Sequence, residues 1–313
     1  MSQTDFALST ICTVTLYEHG KPKIYQKIFD RLKEIDARMS VYIVGSDVDR
    51  INKAAGEQAV NVHPDVFEVI EQAFKYAEFS GGAFDPTVRP LVSLWDIGGD
   101  NERVPAEAEI ENVLPLINWK DIELDREKQS VFLKHRGMAL DLGAIAKGYA
   151  ADETAAIIKK AGIPRAIVDL GGNIVVVGEK KDKKLWRIGI QNPMEGRGNY
   201  IGIVQTKETS VVTSGVYERF FIAGGQRYHH IFSPENGYPV SNGLLSVTII
   251  TGVSAIADAL STSVFVMGYE KGKELIKSLE GVEAIFVFED MTIRVTKGVD
   301  FILSDNAYSI LPD

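Results

Sequence analysis

The chain has 313 residues, 45% apolar and 25% charged, the proportions of a folded globular protein, which exclude wholesale disorder and an extended coiled coil. Its net charge of −9 and lack of a long basic block argue against general nucleic-acid binding, while leaving room for an anion on backbone N–H groups, a metal ion, or one or two placed cations. The single cysteine, Cys12, excludes an intramolecular disulfide and a cysteine-based metal cluster.

The opening Met-Ser-Gln-Thr-Asp-Phe has neither the basic nor the apolar region of a leader, so the sequence reads as cytosolic or as lacking a processed leader. Residues 8–17 are β-branched and read as a strand. Ile24, Ile28, Leu32, Ile35 and Met39 recur at helical spacing and predict an amphipathic helix over 22–39. A short helix is expected around Val48–Ala55, and a longer one from Pro64 to Ser80 that stops at Gly81-Gly82. Residues 96–112 read as an exposed connection with a helix starting after Pro105, and 119–135 as two strands. Ala146–Ala161 is helical, and Ile167–Val177 holds two strands split by Gly171-Gly172-Asn173. The chain then turns β-rich, with strands at 185–190, 200–205, 209–213, 216–222, 227–232 and 244–250. Helices at 254–267 and 270–279 and a hairpin at 283–296 complete it. Helices and strands mix without a regular βαβ repeat, so the class is α+β. No apolar run is long enough to span a bilayer; the nearest candidate, 244–268, is interrupted by Asp258.

Five stretches carry small, polar and acidic residues beyond what packing requires. Gly81 to Val88 reads either as a backbone made for close approach or as a helix stop followed by an Asp-Pro turn. Asp141 to Tyr149 reads as a helix start suited to a phosphate with Lys147 adding a cation, or as an Asp near a helix start with Lys147 in solvent. It is neither a Walker A motif nor a Gly-x-Gly-x-x-Gly fingerprint. Asp169 to Asn173 fits a hairpin turn. Along a strand, His229 and His230 point to opposite faces, which makes them a poor metal pair but leaves one free to act as an acid or base. Asp258 sits in an otherwise apolar helix one turn before Thr262. Their i, i+4 spacing sets a carboxylate and a hydroxyl on one face, a hard oxygen pair suited to Mg²⁺ and equally readable as a helix-dipole Asp with a back-bonded Thr. The run Lys180-Lys181-Asp182-Lys183-Lys184 reads as a solvated turn.

As an ordered set, these stretches resemble the FAD:protein FMN transferase, or ApbE, family. The resemblance is carried by Gly82-Ala83-Phe84-Asp85-Pro86-Thr87-Val88, by Asp141-Leu142-Gly143-Ala144-Ile145-Ala146-Lys147-Gly148-Tyr149-Ala150-Ala151-Asp152 and by Gly171-Gly172-Asn173-Ile174. It continues in Thr213-Ser214-Gly215-Val216-Tyr217-Glu218-Arg219, Tyr228-His229-His230-Ile231, Pro234-Glu235-Asn236-Gly237-Tyr238-Pro239 and Ala257-Asp258-Ala259-Leu260-Ser261-Thr262. It implies one flavin-transferase domain over 1–313, as a whole or in two subdomains, with largely antiparallel sheets around a central nucleotide cleft. It also implies a Mg²⁺-dependent enzyme that moves FMN from FAD to a Thr or Ser hydroxyl of a flavoprotein and releases AMP. The acceptors would be subunits of ion-pumping redox complexes. The site of action would be the periplasm or outer face of the cytoplasmic membrane, often on a lipid anchor.

Residue by residue, the resemblance implies a metal held by Asp258, Thr262 and the Ala144 carbonyl, with Ser261 nearby. It implies FAD contacts from Ala83, Phe84, Asp85, Asp141, Lys147 and the Ile231 backbone, and Tyr42 covering the isoalloxazine ring. Two departures stand out: Ile11-Cys12-Thr13 replaces a Met-Gly-Thr-like strand, and Glu235-Asn236 replaces a more usual Thr or Lys-Thr. For the acceptor proton, His230 and Asp258 are both candidate bases. A FAD pyrophosphatase yielding FMN and AMP, and a flavin carrier without turnover, remain as competing readings.

Overall fold

The computed structural model describes residues 1–181 and 183–312, so Asp182 of the lysine run lies outside the described residues. In chain order the elements begin with β1 (Ser2–Ala7), β2 (Thr10–Leu16), α1 (Pro22–Met39), α2 (Asp47–Lys53), β3 (Val60–Asn61) and α3 (Pro64–Phe79). Next come α4 (Arg89–Trp95), α5 (Glu107–Val113), β4 (Ile122–Asp125), β5 (Ser130–Leu133), α6 (Ala146–Lys160), β6 (Ala166–Leu170) and β7 (Asn173–Val177). Then follow β8 (Trp186–Gln191), β9 (Tyr200–Thr206), β10 (Thr209–Gly215), β11 (Phe220–Ala223), β12 (Gln226–His229) and β13 (Leu244–Thr251). The chain closes with α7 (Ser254–Met267), α8 (Tyr269–Lys277), β14 (Glu283–Phe288), β15 (Thr292–Val295), β16 (Asp300–Leu303) and β17 (Ser309–Leu311). The α+β class stands.

The chain divides into two units. The first comprises residues 1–36, 146–215 and 243–313. Its frame is a nine-stranded sheet in the order β1-β2-β6-β7-β10-β13-β14-β15-β17. Every pairing in it is antiparallel except β15 with β17. β13 is buried along its whole length, as a central strand covered on both faces must be. Helix α7 packs on β10 and β13 and against α6. Ala257, Leu260, Val264 and Phe265 are fully buried on it. A smaller sheet, β16-β9-β8, belongs to the same unit.

The second unit comprises residues 37–145 and 216–242. It holds α2 to α5, the sheet β3-β5-β4 and the hairpin β11-β12. Its core gathers Leu91, Trp95, Ile110, Ile117 and Phe232. The indole N–H of Trp95 donates to the Gly237 carbonyl at 2.9 Å. Gly237 has φ +76°, and a Cβ there would lie 2.4 Å from Ile110. The segment 234–239 is therefore a turn clamped on Trp95, and its Glu235 and Asn236 are exposed.

Three differences from the sequence reading have local causes. β1 pairs with β2 in a hairpin whose turn residues, Leu8 and Ser9, have φ of +52° and +57°. Two-residue hairpin loops need positive φ, but Leu-Ser gives no sequence sign of it. Helix α4 was not expected; Pro90 sits in its first turn, where a missing N–H costs nothing. The strand expected over 216–222 begins only at Phe220, in a separate two-stranded hairpin.

Candidate active site

In the first unit, the hydroxyl- and carboxylate-bearing side chains converge at the second and third turns of α7. Asp258 is 4% exposed. Its Oδ2 accepts the Gly148 N–H at 2.9 Å, and its Oδ1 lies 4.0 Å from the Lys147 ammonium. Ser214, at the end of β10, shares hydrogen bonds with Ser261 at 2.8 Å and with Thr262 at 3.3 Å. Ser261 also donates to the Asp258 carbonyl at 2.8 Å. One carboxylate and three hydroxyls thus gather on one patch of α7 and β10.

The two helices that frame this patch cap each other. Gly148 is the third residue of α6, where the N–H has no partner inside its own helix, and Asp258 of α7 accepts it. In return, Asp152 of α6 accepts the Ser254 and Ala255 N–H groups, both at 2.9 Å, at the start of α7. Burial pushes the Asp152 carboxyl above its ordinary range, against the lowering effect of those two bonds. The close crossing needs glycine: a Cβ on Gly148 would stand 2.3 Å from the Ser254 carbonyl oxygen.

In the second unit, α3 ends in a Schellman motif, with Gly82 N–H bonded to the Ala77 carbonyl and Gly81 N–H to that of Glu78. Phe84 is buried and its N–H donates to the Ser80 hydroxyl at 3.0 Å. Asp85 Oδ1 accepts from the Thr87 N–H and hydroxyl at 2.8 and 2.6 Å, and Oδ2 from the Trp119 N–H at 3.1 Å. Burial raises the Asp85 carboxyl, while these three donors oppose the shift. The loop carrying Asp141 is fixed by Asn52, whose amide exchanges two hydrogen bonds with the Leu140 backbone at 2.6 and 3.0 Å. Asp141 accepts the Gly143 N–H at 2.9 Å and pairs with Arg89 at 3.5 Å. Arg89 in turn donates to the Tyr42 hydroxyl at 3.3 Å and lies over its ring, 4.8 Å from the centroid.

The two histidines divide as strand alternation requires. His229 is buried: its Nδ1 accepts the Ile231 N–H at 3.2 Å, so its Nε2 carries the proton and donates to the Val240 carbonyl at 2.8 Å. Burial holds this ring below the ordinary histidine value. His230 is half-buried, with Nδ1 3.2 Å from the Arg219 carbonyl; Nδ1 must donate there, which leaves Nε2 as the basic nitrogen of the neutral ring. The Ile231 carbonyl accepts the Val240 N–H at 3.0 Å.

The ApbE family model matches residues 8–286. The chain belongs to the ApbE family. It is 38% identical to a FAD:protein FMN transferase of Klebsiella pneumoniae, over 95% of this chain and 92% of that protein. It is 35% identical to one of Treponema pallidum, over 95% and 87%. The crystal structure of an ApbE protein of Thermotoga maritima superposes with a TM-score of 0.86 at 35% identity, covering 95% of this chain and 97% of that one. The flavin transferase ApbE of Vibrio cholerae superposes with a TM-score of 0.82 at 25% identity, covering 98% and 97%. The chain is accordingly an enzyme of the transferase class.

Within this ApbE protein, the structure brings Asp258, Thr262, Ser261 and Lys147 together in the first unit. It brings Tyr42 and Asp141 together in the second unit through Arg89. Ala83, Phe84, Asp85, Ala144, His230 and Ile231 also belong to the second unit. The Asp85 side chain is engaged by Thr87 in its own loop and by the Trp119 N–H, so any contact with a ligand must share oxygens already accepting three bonds. Among the described residues no three His, Cys, Asp or Glu side chains gather as a metal cluster. The α7 patch instead offers one carboxylate with neutral hydroxyls, all hard oxygen donors. That fits Mg²⁺, which keeps several waters and shares its sphere with substrate phosphates. Ser214, Gly148 and Asp152 lie in the motifs that carry the resemblance but have no role assigned to them there, and Arg89 lies just outside them. Gly148 carried a signal, a glycine inside a helical pattern; Arg89 carried none.

Proposed function

We propose that this ApbE protein takes FAD as substrate, transfers its FMN moiety to a Thr or Ser hydroxyl of a flavoprotein, and releases AMP. The observation that supports the reading most is the oxygen-rich turn of α7, where Asp258 is buried beside Ser214, Ser261 and Thr262. A buried carboxylate costs several kcal/mol unless it is compensated. One N–H and an ammonium at 4.0 Å compensate it only in part. A divalent cation completes that compensation.

In the proposed reaction the acceptor oxygen bonds to the phosphorus of the FMN half, and the anhydride P–O bond breaks. The electron pair leaves with the AMP phosphate, and the hydroxyl proton passes to a base. Asp258 and Thr262 are the residues of the first unit that would hold Mg²⁺. When bound there it would neutralise pyrophosphate charge and draw electron density from phosphorus. Lys147, already facing the same carboxylate, supplies a second positive charge to the phosphates. Tyr42 offers the ring face opposite Arg89 to the isoalloxazine, while Ala83, Phe84, Asp85, Asp141 and the Ile231 backbone orient the nucleotide. His230 accepts the proton at Nε2. The acceptors are flavoprotein subunits of ion-pumping redox complexes, and the place of action is the periplasm or the outer face of the cytoplasmic membrane; cell fractionation with an antibody to the chain would locate it. Among the described residues no helix is long and apolar enough to cross a membrane.

The test is incubation of the purified chain with FAD, MgCl₂ and an acceptor domain, followed by mass spectrometry and AMP quantitation. The expected result is an acceptor heavier by one FMN unit and one AMP per adduct. AMP accumulating at full rate without acceptor would replace transfer by hydrolysis. FAD retained with no AMP would reduce the protein to a carrier.

A further inference from the structure

Arg89 has no structural explanation in its own helix. It is the first residue of α4, where the helix dipole disfavours a cation, and the first turn of α4 contains no acidic residue. Its side chain is only 19% exposed, so it is not a solvated surface arginine. Its contacts are the Tyr42 ring at 4.8 Å, the Tyr42 hydroxyl at 3.3 Å and the Asp141 carboxylate at 3.5 Å. Among the described residues its Nε and Nη2 donors bond to nothing else. Tyr42, by contrast, is 62% exposed and stands in a loop whose hydrogen bonds, from Ser40, Ile43, Ser46 and Asp49, hold the backbone and leave the Tyr42 ring to Arg89. An aromatic side chain so exposed, on a loop of seven residues, is free to rotate unless something holds it.

We infer that Arg89 is a positioning residue for flavin binding: its guanidinium lies on one face of Tyr42, fixes the ring through the hydroxyl, and anchors it to Asp141, leaving the opposite face presented to the isoalloxazine. The anchor is itself held, because Asp141 is fixed by the Gly143 N–H and its loop by Asn52. A planar, delocalised cation can lie flat on a ring and reach a hydroxyl and a carboxylate with the same nitrogen; a lysine ammonium cannot do all three. Holding the ring before the ligand arrives removes an ordering cost that binding would otherwise meet. The inference rests on the proposed role of Tyr42 as the flavin-stacking residue and goes beyond it by naming what aims the ring.

The test is a double-mutant cycle read by FAD fluorescence, which stacking quenches. Wild type, Arg89→Met, Tyr42→Ala and the double variant are titrated with FAD in Mg²⁺ buffer, and melting temperatures and steady-state kinetics are measured alongside. Arg89→Met should weaken FAD binding and raise KM about five- to tenfold, with kcat within about twofold of wild type and an unchanged melting temperature. In the Tyr42→Ala background the same substitution should cost less than about twofold, because the group it acts through is gone. Arg89→Lys should recover only part of the loss. Wild-type affinity in Arg89→Met, an equal penalty in both backgrounds, or full rescue by lysine would each overturn the inference while leaving the flavin reading intact. Failure of the wild type itself to bind FAD would overturn that reading and the inference with it.

Discussion

Asp258 does two jobs that a single substitution can separate. Its Oδ2 accepts the Gly148 N–H, and its charge faces the Lys147 ammonium. Asn keeps an oxygen for the N–H and loses the charge. Asp258→Asn should therefore change stability by less than about 1 kcal/mol while lowering Mg²⁺-dependent flavin transfer by about a hundredfold or more. Asp258→Ala leaves the buried N–H unpaired and should cost about 1–3 kcal/mol as well. Thermal melts beside transfer rates measure both, and an active Asp258→Asn would remove the carboxylate from the chemistry. His229 and His230, adjacent in the chain, differ in burial. Burial holds His229 below its ordinary value, so the folded ring stays neutral where the unfolded ring begins to charge. Well above pH 6.5 neither state binds the proton and the term is constant. As pH falls below 6.5 the unfolded chain binds it first, and stability is lost down through the folded value. The melting temperature of wild type should fall more steeply between pH 7.5 and 5.5 than that of His229→Gln. Equal slopes would mean that His229 protonates in place.

At the scale of elements, the reciprocal caps make α6 and α7 one rigid pair. Asp152 closes the start of α7, and Asp258 closes the start of α6. The Asp258 carboxylate is thereby aimed by helix packing and not by a loop, which gives it a fixed direction. Gly148→Ala tests this. The added Cβ would meet the Ser254 carbonyl oxygen at 2.3 Å and Ala255 Cα at 2.7 Å, backbone atoms that cannot swing aside. The helices must part, at a cost of about 1–3 kcal/mol, and transfer activity should fall by more than the stability loss explains. An unchanged rate would show that the pair is not what aims Asp258. The sequence made α6 and α7 readable, through their apolar faces and the glycine punctuation after α6. It also placed Asp258 and Thr262 one turn apart, because helical spacing is a local property. It could not reveal Asp152 as a cap for a helix a hundred residues away, since nothing local marks an aspartate for a distant partner. Arg89 was hidden for the same reason: its partners, Tyr42 and Asp141, are 47 and 52 residues away in the chain.

At the scale of the molecule, what was least legible is pairing. β8 and β9 follow β7 in the chain but join β16 in another sheet, while β10 returns to β7. Strand order is set by which faces can be buried together, and alternation within each strand carries no address for its neighbour. Net charge, however, is legible from composition and has a consequence for the whole protein. FAD brings two negative phosphates to a chain of charge −9. Two of the chain's cations, Lys147 beside Asp258 at 4.0 Å and Arg89 beside Asp141 at 3.5 Å, already face carboxylates, so neither projects an unopposed field into solvent. Long-range repulsion then governs the encounter, and screening relieves it. At fixed Mg²⁺, raising NaCl from about 20 to 200 mM should increase kcat/KM for FAD by about twofold, the Debye length shrinking from roughly 20 to 7 Å. A fall in kcat/KM over the same range would mean that local positive potential, and not the acidic whole, steers the nucleotide in.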